Sequence, residues 1–158
     1  MIATSKHDIE GKLTIRKYDA SGRLLEQHTA HNSITSMGRK LVSDLFKFNI
    51  LDSQEDKIKR ISTMHLGKSQ TPFKPEQTSM QDYVGQTTIN SVEYVNTGDD
   101  RVRLRLVGEL DTDNCNDELR EAGLFTEDDT PIMYNRVTFD TITKSEEFNL
   151  TLIWELTF

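Results

Sequence analysis

The sequence predicts a mainly β protein, an antiparallel β-sandwich with one short α-helix near the N-terminal third. Three features predict it. Phe148, Leu150, Leu152, Trp154, Leu156 and Phe158 alternate strictly with Asn149, Thr151, Ile153, Glu155 and Thr157, which is the period of a half-buried strand. A single stretch, 35–48, carries apolar residues at helical spacing. Turn chemistry punctuates the remaining apolar runs, as at Asp19-Ala20-Ser21-Gly22 and Asn96-Thr97-Gly98-Asp99-Asp100.

Residues 1–10 are polar and patternless, and are expected to form a flexible arm, free to order on a neighbouring subunit. Residues 11–158 are expected to form a single β-rich domain. Its first part, 11–31, reads as a hairpin: Leu13 and Ile15 alternate with Thr14 and Arg16, the turn follows, and Arg23 to Ala30 returns. The helix over 35–48 has Thr35 or Ser36 as N-cap and an apolar stripe at Met37, Leu41, Leu45 and Phe48, widened by Val42 and Phe46. Gly38 inside it marks a close approach to a neighbouring backbone. Leu51 to Arg60 is charged and reads as a surface loop. From residue 60 the period becomes two. Ile61 to Leu66 is a strand, stopped by Gly67 to Pro72, and a proline-containing loop runs to Gly85 with a helical turn near Met80 to Tyr83. Strands follow at Thr88 to Val95, Arg101 to Leu110 and Ile132 to Phe139. The last strand buries Leu150, Leu152, Trp154 and Leu156, with Thr151, Glu155 and Thr157 exposed or paired. It ends without a polar tail, which leaves a sheet edge for another subunit.

A chain of 158 residues buries enough surface for a core without disulfides or structural metals. Twenty-six acidic against 19 basic residues give a net charge of −7, and the pI is about 5.1, so nucleic acid is an unfavoured partner. No run approaches the roughly 18 apolar residues of a membrane span, and no apolar leader is visible, so synthesis in the cytoplasm without membrane contact is expected.

The motifs that carry chemistry fail one by one. The run Asp111-Thr112-Asp113-Asn114-Cys115-Asn116-Asp117 resembles a calcium loop, but Asn116 and Ala122 stand where the loop needs glycine and glutamate. His7, His28, His31 and His65 have no metal-ligand spacing. Cys115, the single cysteine, has no activating neighbours in sequence. Gly67-Lys68-Ser69 lacks the upstream glycine and the helix of a phosphate loop. No catalytic residue, metal or cofactor is therefore expected. Two charge features stand out. Arg101, Arg103 and Arg105 share one strand face, where cross-strand pairing with acids is the expected role and an anchor for an acidic partner surface is the second. Residues 108–129 hold nine acids and one base, a local −8. Arg101, Arg103, Arg105, Asp111, Asp113 and Asp117 are thus the candidate interface residues, and the two groups would meet head to tail between copies.

An ordered set of segments resembles a group of bacteriophage tail and baseplate-associated structural proteins. Ile34-Thr35-Ser36-Met37-Gly38-Arg39-Lys40-Leu41-Val42-Ser43-Asp44-Leu45 is similar to their I-T-x-x-G-R-x-L-x-x-L helix. Ile61, Met64, Gly67 and Thr71-Pro72 follow in similar places. Leu119-Arg120-Glu121-Ala122-Gly123-Leu124-Phe125, then Met133-Tyr134-Asn135-Arg136-Val137, then Leu152-Ile153-Trp154-Glu155-Leu156-Thr157-Phe158 are similar to their closing segments. The polar Lys68-Ser69-Gln70 departs from the pattern, and the N-terminal hairpin has no counterpart in it. The resemblance implies a non-enzymatic structural subunit of a tail, baseplate or collar. It further implies a location in the virion and partners that are identical subunits, in a ring or trimer, and other virion proteins. The competing reading is a carbohydrate- or receptor-binding β-domain, which would display exposed aromatics in a groove.

Overall fold

A computed structural model describes residues 8–46 and 59–158. The expected arm and charged loop fall largely on 1–7 and 47–58, outside the described residues. In chain order the elements are β1 (Glu10–Tyr18), β2 (Leu24–His31), β3 (Ser33–Ile34), α1 (Ser36–Asp44), β4 (Ile61–Gly67), β5 (Tyr83–Val95), β6 (Arg103–Leu110), β7 (Glu118–Thr126), β8 (Asn135–Thr143) and β9 (Asn149–Thr157). The protein is mainly β, with one helix and antiparallel strand pairs, as the sequence predicts.

The hydrogen bonding does not divide into the two separate sheets of a sandwich. It runs through one nearly closed sheet in the order β2-β1-β9-β6-β5-β4-β7-β8-β3. Two devices curve this sheet. β5 is 13 residues long. Tyr83 to Thr88 pairs with β4, and Ile89 to Val95 pairs with β6, with a register irregularity between Ile89 and Ser91. A strand that changes partner at a bulge turns a corner in the sheet. At the opposite seam β2 pairs with β1, and β3, beginning one residue after Asn32, pairs with β8. The two outermost strands are therefore consecutive in the chain.

The core lies inside this curve. Leu13 and Ile15 of β1, Leu106 of β6, and Leu150, Leu152 and Trp154 of β9 are all buried. The alternation on β9 has the expected register, with Trp154 opposite Leu13 on one side and Leu106 on the other. Glu155 is paired, to Lys12 and Arg105. Thr157 is buried, and its hydroxyl accepts from Arg103 Nε at 3.2 Å. β9 lies between β1 and β6, so the sheet edge expected beside it is not there.

The helix differs from expectation in extent and in facing. It is regular over Ser36–Asp44, and Leu45 and Phe46 follow in a turn; positions 47–48 lie outside the described residues. Thr35 is the N-cap, its hydroxyl accepting from Gly38 N at 2.9 Å. A Cβ on Gly38 would lie 2.1 Å from the Tyr134 carbonyl oxygen. Only glycine permits this approach, so the helix packs by Gly38, Leu41 and Val42, while Met37 and Leu45 are turned to the surface. Of the expected stripe Leu41 and Val42 pack on the core, while Met37, Leu45 and Phe46 do not, because backbone contact at Gly38 sets the rotation of the helix.

Other boundaries shift by a few residues. β5 begins at Tyr83 rather than Thr88, and β6 at Arg103 rather than Arg101. β8 spans Asn135–Thr143, with Met133 only bridged to Phe125. Of the helical turn expected near Met80 to Tyr83, only a turn at Gln81 and Asp82 forms before β5 begins. Met80 inserts beside Phe125 and Met133 in a second small apolar cluster.

Candidate functional site

The arginine row occupies the beginning of β6, and the acidic loop 111–117 follows its end. Eight residues of strand place them roughly 25 Å apart, so they do not meet within one chain. Arg105 lies opposite Glu93 on β5 and Glu155 on β9, and Glu155 lies opposite Lys12 on β1. The ion pairs follow that register: Arg105 to Glu93 and to Glu155 at 3.3 Å each, and Lys12 to Glu155 at 3.6 Å. The result is a row of alternating charge across four strands. Arg103 donates to Thr157, and Arg101, which precedes β6, approaches Glu10 at 3.5 Å. Exposed pairs of this kind contribute only about 0.2–1 kcal/mol each.

The acidic loop is braced from within. Asp111 accepts from the Asp113 N–H at 3.2 Å. Asp117 accepts from the Glu118 N–H at 2.8 Å and pairs with Lys68 at 3.5 Å, and these contacts hold its carboxyl below the usual range. Lys144 is buried beneath the loop. Its ammonium donates to Asn116 at 2.6 Å and faces Asp111 and Asp113, while burial pulls its pKa down. Cys115 is buried beside it, in a left-handed conformation with φ 55°, and burial pushes its thiol up to about 11. A thiol so placed is not a nucleophile at neutral pH.

The strongest polar arrangement is one that the sequence reading missed. Glu121 of β7 and Arg136 of β8 have side chains that are 0% exposed and pair at 2.7 Å. The Glu121 carboxylate also accepts the backbone N–H groups of Asp82 at 2.7 Å, Gln81 at 3.1 Å and Ser69 at 3.4 Å. The Arg136 guanidinium donates to the carbonyls of Thr71 at 2.7 Å and Ser69 at 3.3 Å. This clamp straps the segment 68–82 across the outer face of β4, β7 and β8, which is why β7 is buried on both faces. No local signal marks the pair, because Glu121 directly follows Arg120 and Arg136 directly follows Asn135.

Several of the segments that carry the phage resemblance meet each other here, whereas the closing one, 152–158, pairs with β1 and β6. Thr35 of the helix segment donates its hydroxyl to Met133 O at 2.6 Å, and its N–H to Tyr134 O at 3.0 Å. Gly38 packs on Tyr134, and Arg136 joins Glu121 to Thr71.

His65 of β4 lies under the same strap, stacked on Phe125 with ring centroids 3.7 Å apart and edge-on to Tyr83. Its Nε2 is buried without a partner, and burial pushes its pKa from 6.5 down to about 4. Between those pH values the unfolded chain binds a proton that the folded one refuses, so stability falls as pH drops from about 6.5 to about 4. We expect this to amount to about 2–3 kcal/mol. In His65→Phe, chemical denaturation at pH 7 and at pH 4.5 should differ by that much less than in the parent. The depressed carboxylates Asp8, Asp19, Glu26, Asp99 and Asp117 lose their stabilising effect at lower pH still, and they are common to both proteins. An unchanged pH dependence in the variant would sink the assignment.

The hollow beside the arginine row, lined by Lys12, His31, Arg103 and Glu155, has a volume of about 120 Å³, and two larger ones measure about 290 Å³, beside Asn32, Arg39 and Pro75, and about 340 Å³, beside Tyr18, Leu110 and Leu150. Pockets for drug-sized ligands run from about 300 to 1,000 Å³. Among the described residues no group of three or more His, Cys, Asp or Glu is arranged to hold a metal ion. Fold and site together define a nearly closed antiparallel sheet with a capped helix and a buried ion-pair clamp. No family model, no curated protein and no solved structure matches the chain.

Proposed function

We propose that this protein is a structural virion subunit of a tailed bacteriophage or a phage-like injection device, placed in the tail, baseplate or collar, and that it acts by protein–protein assembly rather than catalysis. Its partners are identical subunits, in a closed ring or trimer, and other virion proteins. The observation that carries this reading is the ordered set of resembling segments, together with the contacts among three of them: Thr35 and Gly38 on Met133 and Tyr134, and Glu121 on Arg136. A motif set whose members touch is more specific than the same segments scattered over a surface. The separation of the arginine row from the acidic loop, at opposite ends of β6, suits head-to-tail contacts between copies. Those contacts would add to arginines already held by Glu10, Glu93 and Glu155.

The test is mass spectrometry on gradient-purified particles from the source cells. The chain should be present in fixed ratio to other tail proteins. Crosslinks should join it to those proteins and to copies of itself. Its absence from the particles would overturn the reading, and saturable binding of the isolated chain to a host surface glycan would replace it with the receptor-binding one.

A further inference from the structure

From the exposed edge of β5 we infer that the protein associates with a second copy of itself, strand to strand, about a two-fold axis at Val92. β5 pairs with β4 only as far as Thr88. From Ile89 to Val95 it pairs with β6, and among the described residues no strand pairs with its other edge. Unpaired edges in isolated proteins are normally blunted by lysine, proline or inward-pointing charge. The seven residues Ile89-Asn90-Ser91-Val92-Glu93-Tyr94-Val95 contain no lysine, no proline and one charge, Glu93, which is held by Arg105 at 3.3 Å.

The side chains point the same way. Residues directly opposite in an antiparallel pair share a face. Val92 lies opposite Leu106, and Leu106 opposite Trp154, so Val92 belongs to the core-facing side of the sheet. Tyr94 lies opposite Leu104 on that same side. Yet Val92 is 60% exposed and Tyr94 79% exposed, whereas Leu106 is 4% exposed. Val102 and Phe158, which pair beyond Leu104 and Leu156, continue this face and are about half exposed as well. The core layer thus runs out onto an uncovered end of the sheet, with apolar side chains where a monomer would place polar ones.

The occupant is set by the strand's own pattern. When β5 pairs with its copy antiparallel and centred on Val92, Val92 meets Val92, Ser91 meets Glu93, Asn90 meets Tyr94 and Ile89 meets Val95. No like charges oppose, although each copy carries a net charge of −7. Centring on Glu93 would instead set two carboxylates face to face. Strand addition then supplies backbone hydrogen bonds, and the Val92 and Tyr94 face supplies apolar burial. A two-fold contact of this kind would link two rings of subunits rather than close one.

The experiment is sedimentation of the full chain over a range of concentrations, with hydrogen exchange on the same samples. We expect reversible dimerisation, and protection that rises with concentration at those amides of 89–95 that lie on the open edge rather than on β6. Val92→Lys and Val92→Glu each place like charges opposite one another and should weaken the dimer by roughly a hundredfold, since such juxtapositions cost several kcal/mol. An equimolar mixture of the two should restore it. Both variants are tolerated by the monomer, because Val92 is largely exposed. A chain that stays monomeric at its highest soluble concentration overturns the inference. So does a dimer indifferent to Val92→Lys, a mixture that fails to reassociate, or a monomer in which the 89–95 amides on the open edge, those not bonded to β6, are already protected. The inference stands on the strand edge and not on the virion reading: a chain absent from particles but dimeric through β5 would defeat only the latter.

Discussion

Arg136→Met should destabilise the protein by about 3–5 kcal/mol, because it leaves the Glu121 carboxylate buried without its counter-ion. The informative comparison is with the double variant Glu121→Leu/Arg136→Met. Replacing both members of a buried ion pair with apolar residues is often close to neutral. Here it should not be, because the pair also terminates backbone groups of the strap. Without Glu121 the N–H groups of Asp82 and Gln81 lose their acceptor, and without Arg136 the carbonyls of Thr71 and Ser69 lose a donor. Each such group costs about 1–3 kcal/mol when left buried and unpaired. The double variant should therefore be at least as unstable as Arg136→Met in urea titration. Amide exchange at Gln81 and Asp82 should accelerate while β9 stays protected. A double variant with parental stability would mean that the strap is held by Met80 and its neighbours and not by the clamp.

Trp154→Ala should cost a similar amount, about 3–5 kcal/mol, typical of a large core aromatic cut back to a methyl group. Trp154 is 0% exposed and sits between Leu13 and Leu106 at the middle of β1, β9 and β6. Its indole N–H donates to Asn32 Oδ1 at 3.2 Å, and Asn32 is the residue that carries the chain from β2 to β3 across the seam of the sheet. Removing the indole therefore empties the core and also releases the amide that fixes the seam. Trp154→Phe, which keeps most of the packing and loses only that hydrogen bond and some volume, should cost less than half as much. A loss below about 1 kcal/mol for Trp154→Ala would contradict the core position of β9, given the usual range for buried aromatics.

Much of the architecture was legible in the residues themselves. The register of β9 follows from strict alternation, and both hairpin strands around Asp19 to Gly22 follow from turn chemistry, since the information is local in each case. The capping role of Thr35 and the close approach at Gly38 were legible for the same reason, as each residue type is suited to one backbone situation. The pairing of Arg105 was also predictable, because strand neighbours of an exposed arginine tend to be acids.

What the sequence by itself determined is the class of the fold, the period of its strands and the residues that start and stop them. Tertiary structure alone decided which face of each element is covered. Glu121 reads as an exposed charge until the 68–82 segment is laid over it, because nothing local to β7 reports on a segment some 40 residues earlier. The apolar stripe of α1 predicts burial of Met37 and Leu45, but the contact of Gly38 with Tyr134 turns the helix away from them. One nearly closed sheet replaces two separate ones because β5 changes partner at Ile89 and β2 runs into β3 at Asn32. Strand alternation specifies two faces for every strand but is silent on which strand lies beside it. That choice rests on pairings between residues far apart in the chain, and it is the choice that leaves Val92 and Tyr94 on an open edge.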